Sequence, residues 1–371
     1  MNRLRSLDGL RGFAALSIVF WHWQHFFFLD GLRQPGWEPA KEPFFQLLWP
    51  FYVQGWAAVD IFFVLSGFVF FWLYGPAIRE RVVGGWAFAR LRFSRLYPLH
   101  FLLLILVALL QLRFFQIKSL FFVYQANDWP HFLAQLFMVQ NWWPFADKSF
   151  DGPAWSVSIE VLLYVIFFFA CRAGLRRGLH CLAIALIGGL LLPVEEHFAR
   201  GIIGFFMGGF VFTLWDKWKD HGNAAALARY LCLAAVAGWV LLCASIYYKP
   251  GWIAGEESNN LFLAPFDFVL CPLTVLALAL REQVYGASRA IFAFLGDISY
   301  ASYLLHFPMQ LALALAASRF GWGTEFFMQG WVMIAFFAAL IGLSAVVHYR
   351  FERPLQRAIR GNIARRAAAT A

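Results

Sequence analysis

Charge is what this 371-residue chain has least of: only 14% of its residues are Asp, Glu, Lys or Arg, against about 25% in ordinary soluble domains. With 61% hydrophobic residues, that scarcity excludes a soluble globular class. Cysteine is also scarce. The five cysteines, Cys171, Cys181, Cys232, Cys243 and Cys271, sit in or beside apolar segments without paired spacing. This excludes a disulfide framework and a cysteine metal site, and they read as small hydrophobes; no metal is expected. No Pro/Ser linker, internal repeat or low-complexity tail interrupts the chain, so residues 1–371 read as a single transmembrane domain. The apolar run from Phe13 to Leu29 is followed by no small-residue cleavage site, so it reads as a span and not as a removed leader.

Aromatics are abundant, with 44 Phe and 17 Trp, a usage suited to lipid-facing surface and interfacial belts. Apolar runs near the bilayer length of about 17–25 residues predict an all-α, polytopic integral membrane protein of about ten transmembrane helices. They fall near 10–29, 52–75, 96–112, 155–171, 179–193, 199–215, 226–247, 264–281, 298–317 and 329–349. The segment 131–141 reads as an interfacial piece. An N-in, C-in arrangement puts 22 of the 30 Lys and Arg residues in the inner segments, as the positive-inside rule requires. The net charge of +9 then describes a basic cytoplasmic face against the lipid bilayer, and no nucleic-acid partner is expected.

Few ionisable groups lie within the spans, and those few are informative. Arg11 and His22 are eleven residues apart, about 1100° of helix, so both project from one face some ~16 Å apart along the axis. The second span carries Asp60 followed by Ser66-Gly67, the fourth opens Trp155-Ser156-Val-Ser158-Ile-Glu160, and the ninth carries Ser299-Tyr300 through His306. By depth, His22, Asp60 and Glu160 form an outer layer. Arg11, Arg90, Arg92 and Arg95 form an inner one, with His306 between them. A histidine beside a carboxylate suits general-base attack by a hydroxyl, and an arginine cluster suits phosphates. Ser66-Gly67 reads first as close helix packing of small residues. The segments 30–50 and 113–154, which would meet an acceptor, carry no motif beyond Trp129, Trp142 and Trp143, candidates for stacking on sugar rings.

Six elements in order resemble acyltransferase family 3, the bacterial membrane O-acyltransferases of polysaccharides and related acceptors. They are Arg5-Ser-Leu-Asp8-Gly9-Leu10-Arg11-Gly12 with His22; Asp60 to Phe68; Arg90-Leu-Arg92-Phe-Ser-Arg95-Leu-Tyr97-Pro98; Trp155 to Glu160 with Tyr164; Ser299 to Pro308; and Phe351-Glu352-Arg353-Pro354. The resemblance implies an acyl-CoA co-substrate, usually acetyl-CoA, with no permanently bound cofactor. It implies catalysis by the first-helix histidine, arginines that hold the CoA, and a bacterial inner-membrane address. Some members carry an appended SGNH-type domain, which is not expected within 1–371. The resulting expectation is an acetyl-CoA-dependent O-acetyltransferase acting on a saccharide or lipid-linked saccharide. His22, Glu160 and Asp60 would be catalytic, Arg11, Arg90, Arg92 and Arg95 would bind the donor, and His306, Ser66 and Trp155 would contact substrate. The alternatives are a transporter or flippase of a polar or anionic substrate, in which the same groups relay protons, and O-acylation of a small lipophilic acceptor at the cytoplasmic face.

Overall fold

The computed structural model describes residues 3–35, 37–142, 148–248 and 260–361. Of the residues singled out above, only Trp143 lies outside them. The helices, in chain order, are α1 (Arg5–Trp21), α2 (Phe45–Gln54), α3 (Ala58–Leu73), α4 (Gly75–Arg79), α5 (Gly85–Lys118), α6 (Trp129–Leu136), α7 (Trp155–Arg172) and α8 (Gly178–Leu191). They continue with α9 (Glu196–Trp218), α10 (Ala224–Tyr248), α11 (Asn260–Pro265), α12 (Cys271–Tyr285), α13 (Ala290–Phe320), α14 (Gly330–Val347) and α15 (Arg353–Arg360). The protein is an all-α polytopic membrane protein. Among the described residues, the only sheet is a two-residue hairpin, Phe28–Leu29 against Leu32–Arg33. Its Asp30-Gly31 turn has positive φ at both positions, the type I′ geometry that such a short loop demands.

Each of the ten predicted spans falls on a helix, and eight of the described helical stretches are long and apolar enough to cross a membrane. The other two are short for physical reasons. α1 opens on charged residues and passes at His22 into a tight 3-10 stretch, His22–Phe27. α8 has 14 residues, about 21 Å of helix against a core of about 30 Å. Several helices outrun the predicted boundaries: α5 runs for 34 residues and α13 for 31, because a helix need not stop where the lipid does.

Two close seams set the site. On α3 and α9, a Cβ added to Gly67 would stand 1.8 Å from the carbonyl oxygen of Phe205, and one on Gly208 would stand 2.1 Å from that of Val64. Only glycine allows those backbones to touch, as at small-residue seams in membranes. On α1 and α13 the same device recurs, with a Gly12 Cβ 2.5 Å from Leu295 and a Gly296 Cβ 2.4 Å from Asp8. Asp8 thus meets Gly296 while His22 meets His306, so α1 and α13 run parallel.

Candidate active site

His22 occupies the C-cap of α1, where a helix leaves carbonyls without an intrahelical donor. Gln310 of α13 supplies one, donating from Nε2 to the His22 carbonyl at 2.9 Å. The capped residue is therefore pinned to α13, and its ring lies against His306 with centroids 4.8 Å apart. His22 Nδ1 and His306 Nε2 are 3.0 Å apart. His306 Nδ1 points at the carbonyl oxygen of Tyr303, and a carbonyl only accepts. The proton on a neutral His306 is therefore on Nδ1, its Nε2 accepts, and His22 Nδ1–H is the donor. In that arrangement the lone pair of His22 is on Nε2. Both imidazoles are buried. The chain extends to His25, whose Nδ1 meets Gln310 Oε1 at 3.0 Å while its Nε2 receives the Tyr124 hydroxyl at 3.3 Å.

One turn of α13 away from His306, a cavity of about 240 Å³ opens, with Ser156 and Tyr303 in its wall; their hydroxyls are 2.8 Å apart. Four guanidinium groups, Arg11, Arg92, Arg95 and Arg360, share the wall with one carboxylate, Glu160. Glu160 Oε1 accepts from Ser66 Oγ at 3.0 Å and from the Tyr164 hydroxyl at 2.6 Å. Arg92 lies over the Phe70 and Tyr74 rings at 4.8 and 4.7 Å and donates to the Tyr74 hydroxyl at 2.6 Å, while its Nε is buried without an acceptor. Arg360 is braced by Ser94 Oγ at 2.9 Å. Arg95 makes no hydrogen bond or ion pair among the described residues. This is a cationic chamber with donors to spare, suited to a polyanion.

The structure sorts the sequence-selected residues into three places. His22 and His306 form the dyad. Arg11, Arg92, Arg95, Glu160 and Ser66 line the chamber. Asp60, Trp155 and Arg90 lie elsewhere. Asp60 is fully buried and held by Arg200 through paired bonds of 3.0 and 2.9 Å. Trp155 lies beside that same guanidinium at 5.6 Å. Arg90 donates to the Ile359 carbonyl of α15 at 2.6 Å and leaves the chamber wall. The partner orienting His22 is therefore an imidazole, whereas sequence reasoning looked for Glu160 or Asp60. Three further residues escaped that reasoning. Arg200 counted only as an outer-side cation, Arg360 only as a basic tail, and Gln310 not at all. The i, i+4 spacing of His306 and Gln310 on one helix face was the available signal.

A buried imidazole pair one helical turn from an arginine-lined chamber is an arrangement suited to group transfer, and comparison supplies the class. The chain belongs to acyltransferase family 3, whose model, described as an acyltransferase domain, matches residues 4–349. It is a multi-pass membrane acyltransferase. It is similar to acyltransferase MdmB of Streptomyces mycarofaciens, 25% identical across 96% of this chain and 92% of that protein. It is also similar to O-acetyltransferase OatA of Staphylococcus aureus, 22% identical across 95% of this chain. That match takes in 57% of OatA's length, so the chain corresponds to little more than half of that relative. No solved structure matches the chain.

Proposed function

We propose that the protein moves an acyl group, acetyl in the simplest case, from cytosolic acyl-CoA to a saccharide hydroxyl in the bacterial inner membrane, with both termini on the cytoplasmic side. The observation that carries this reading is the chamber with four guanidinium groups and one carboxylate, ending one helical turn from the dyad. Arg11, Arg92, Arg95 and Arg360 neutralise the donor's phosphates. The thioester arm then runs along the chamber toward Ser156 and Tyr303. His22 Nε2 takes the acceptor's hydroxyl proton as that oxygen attacks the thioester carbonyl. The C–S bond breaks, the ester forms, and the imidazolium returns its proton to the departing thiolate. His306 accepts the Nδ1–H bond throughout and holds the productive tautomer.

The test uses purified protein in detergent with radiolabelled acetyl-CoA. Saturable binding that survives His22→Ala, with acyl transfer reduced about 10²- to 10⁴-fold, is the expected result. Wild-type transfer by His22→Ala sinks the histidine assignment. No acetyl-CoA binding at any concentration sinks the donor assignment and favours transport. Label left covalently on the protein in place of a direct transfer replaces the single step with an acyl-enzyme relay.

A further inference from the structure

The strap from Ser149 to Ala154 passes between two tyrosines that touch the histidine chain. A Cβ added to Gly152 would meet the Tyr124 ring at 2.4 Å, and Tyr124 bonds His25. Tyr303 donates its hydroxyl to the Pro153 carbonyl, and its own carbonyl faces His306. The strap therefore stands directly behind Tyr303, which lines the chamber beside Ser156.

Three side-chain amides clamp this strap by its backbone. Asn127 Oδ1 accepts the Phe150 N–H at 2.6 Å, Gln135 Nε2 donates to the Ser149 carbonyl at 2.9 Å, and Gln140 Nε2 donates to the Ala154 carbonyl at 3.1 Å. Phe150 is held at φ +42°, a conformation that costs a non-glycine residue free energy and persists only where the surroundings over-determine it. At the centre of so much restraint, the Asp151 carboxylate is 2% exposed and its Oδ1 meets no donor among the described residues. Gln135 Oε1, Gln140 Oε1 and Ser149 Oγ, on the strap and its clamps, are also buried without partners. Burial alone pushes the Asp151 carboxyl up to about 8. A carboxyl oxygen buried without a donor is costly, and Oδ1 is such an atom.

We propose that Asp151 binds an acceptor hydroxyl, so that an uncharged polyhydroxylated substrate is held against His22 from the side opposite the donor. This rests on the acyl-transfer reading above. Bare oxygen acceptors ask for a partner that brings several O–H donors. Because the carboxylate is covered, the strap lifts to admit the acceptor and closes with a hydroxyl on Oδ1.

The test compares wild type with Asp151→Asn and Asp151→Ala. The measurements are radiolabelled acetyl-CoA binding, transfer to a panel of neutral p-nitrophenyl pyranosides, and thermal unfolding of the full chain in detergent. Expected are an unchanged donor Kd and a higher Tm, because an uncompensated carboxylate has gone. Acceptor kcat/KM should fall about tenfold for Asn, which keeps one acceptor oxygen, and about a hundredfold for Ala. A lower Tm in both variants makes Asp151 a structural residue and overturns the proposal. So does wild-type acceptor kinetics in either. If the wild type binds acetyl-CoA yet acylates no pyranoside, the saccharide reading falls and this inference falls with it. Loss confined to the variants leaves that reading standing.

Discussion

Two acidic residues, each set in an apolar helix behind an aromatic-rich run, meet opposite fates here. Asp60 on α3 is sealed against Arg200 with both oxygens engaged, inside the glycine-lined seam with α9. Glu160 on α7 faces the chamber, has one oxygen bonded by Ser66 and Tyr164, and shares the wall with four guanidinium groups. In the first region the Asp60 oxygens are both bonded by Arg200, which also pairs with Glu196 at 3.2 Å. The second sets four guanidinium groups against Glu160 and, behind Arg11, Asp8 at 3.4 Å, which leaves a surplus of positive charge for a ligand to offset. In a membrane span it is the balance of charge around a carboxylate, and not the carboxylate alone, that points to a ligand.

The largest expected effect breaks the sealed side. Asp60→Ala strips the buried Arg200 guanidinium of its paired carboxylate and leaves it the single contact to Glu196, at a cost of about 3–5 kcal/mol in stability. Glu160→Gln should leave the unfolding temperature near wild type while acyl transfer falls. Thermal unfolding in detergent, read beside transfer, separates the two. Equal destabilisation by both variants would erase the distinction between pair and chamber. Replacing both members of the sealed pair with Leu and Met should recover most of the loss, since apolar substitutes for a buried pair are often tolerated.

Next in size is the open side. Arg92→Ala/Arg95→Ala should weaken acetyl-CoA binding about a hundredfold or more, the scale of two charge-assisted bonds, with no loss of Tm. Stability is spared because neither side chain makes an ion pair among the described residues: Arg92 leans on aromatic faces and donates to the Tyr74 hydroxyl, and Arg95 makes no hydrogen bond. A donor affinity equal to wild type would reassign the chamber.

The seam itself offers a third, smaller test. Gly67→Ala puts a methyl group against the Phe205 carbonyl. Neither backbone can yield, so a loss of about 1–3 kcal/mol is expected, with donor affinity per folded molecule unchanged. Loss of binding without loss of stability would mean that Gly67 serves the chamber and not the seam.

The apolar runs were legible because lipid admits little else: all ten predicted segments lie on helices. Depth along each helix was legible as well, and it placed His22 and the arginines at different levels. What one sequence cannot show is which way a side chain turns sideways. By depth Glu160 belonged with His22, yet it joins Arg11, Arg92 and Arg95, because α7 presents that face to the chamber. The partners of His22 and Asp60 lie 284 and 140 residues away in the chain, and no local periodicity encodes such pairings. Arg360 was visible only as one more cytoplasmic cation, until α15 packing on α5 turned it into the chamber.

Asp151 sharpens the same comparison from a third position, since it is buried like Asp60 yet unpartnered like the chamber arginines. Its carboxyl is raised from the ordinary 3.8 to about 8, so the folded state holds this proton more tightly than the unfolded chain. By linkage, its contribution to stability is fully present below about pH 4 and is lost as pH climbs toward about 8. The flanking Tyr124 and Tyr303 hydroxyls ordinarily titrate near 10, above that window. Relative to Asp151→Asn, wild-type Tm should therefore fall progressively across the same range. A Tm difference that stays flat with pH would mean that the folded carboxyl titrates as it does in water, and that something other than burial holds the strap around it.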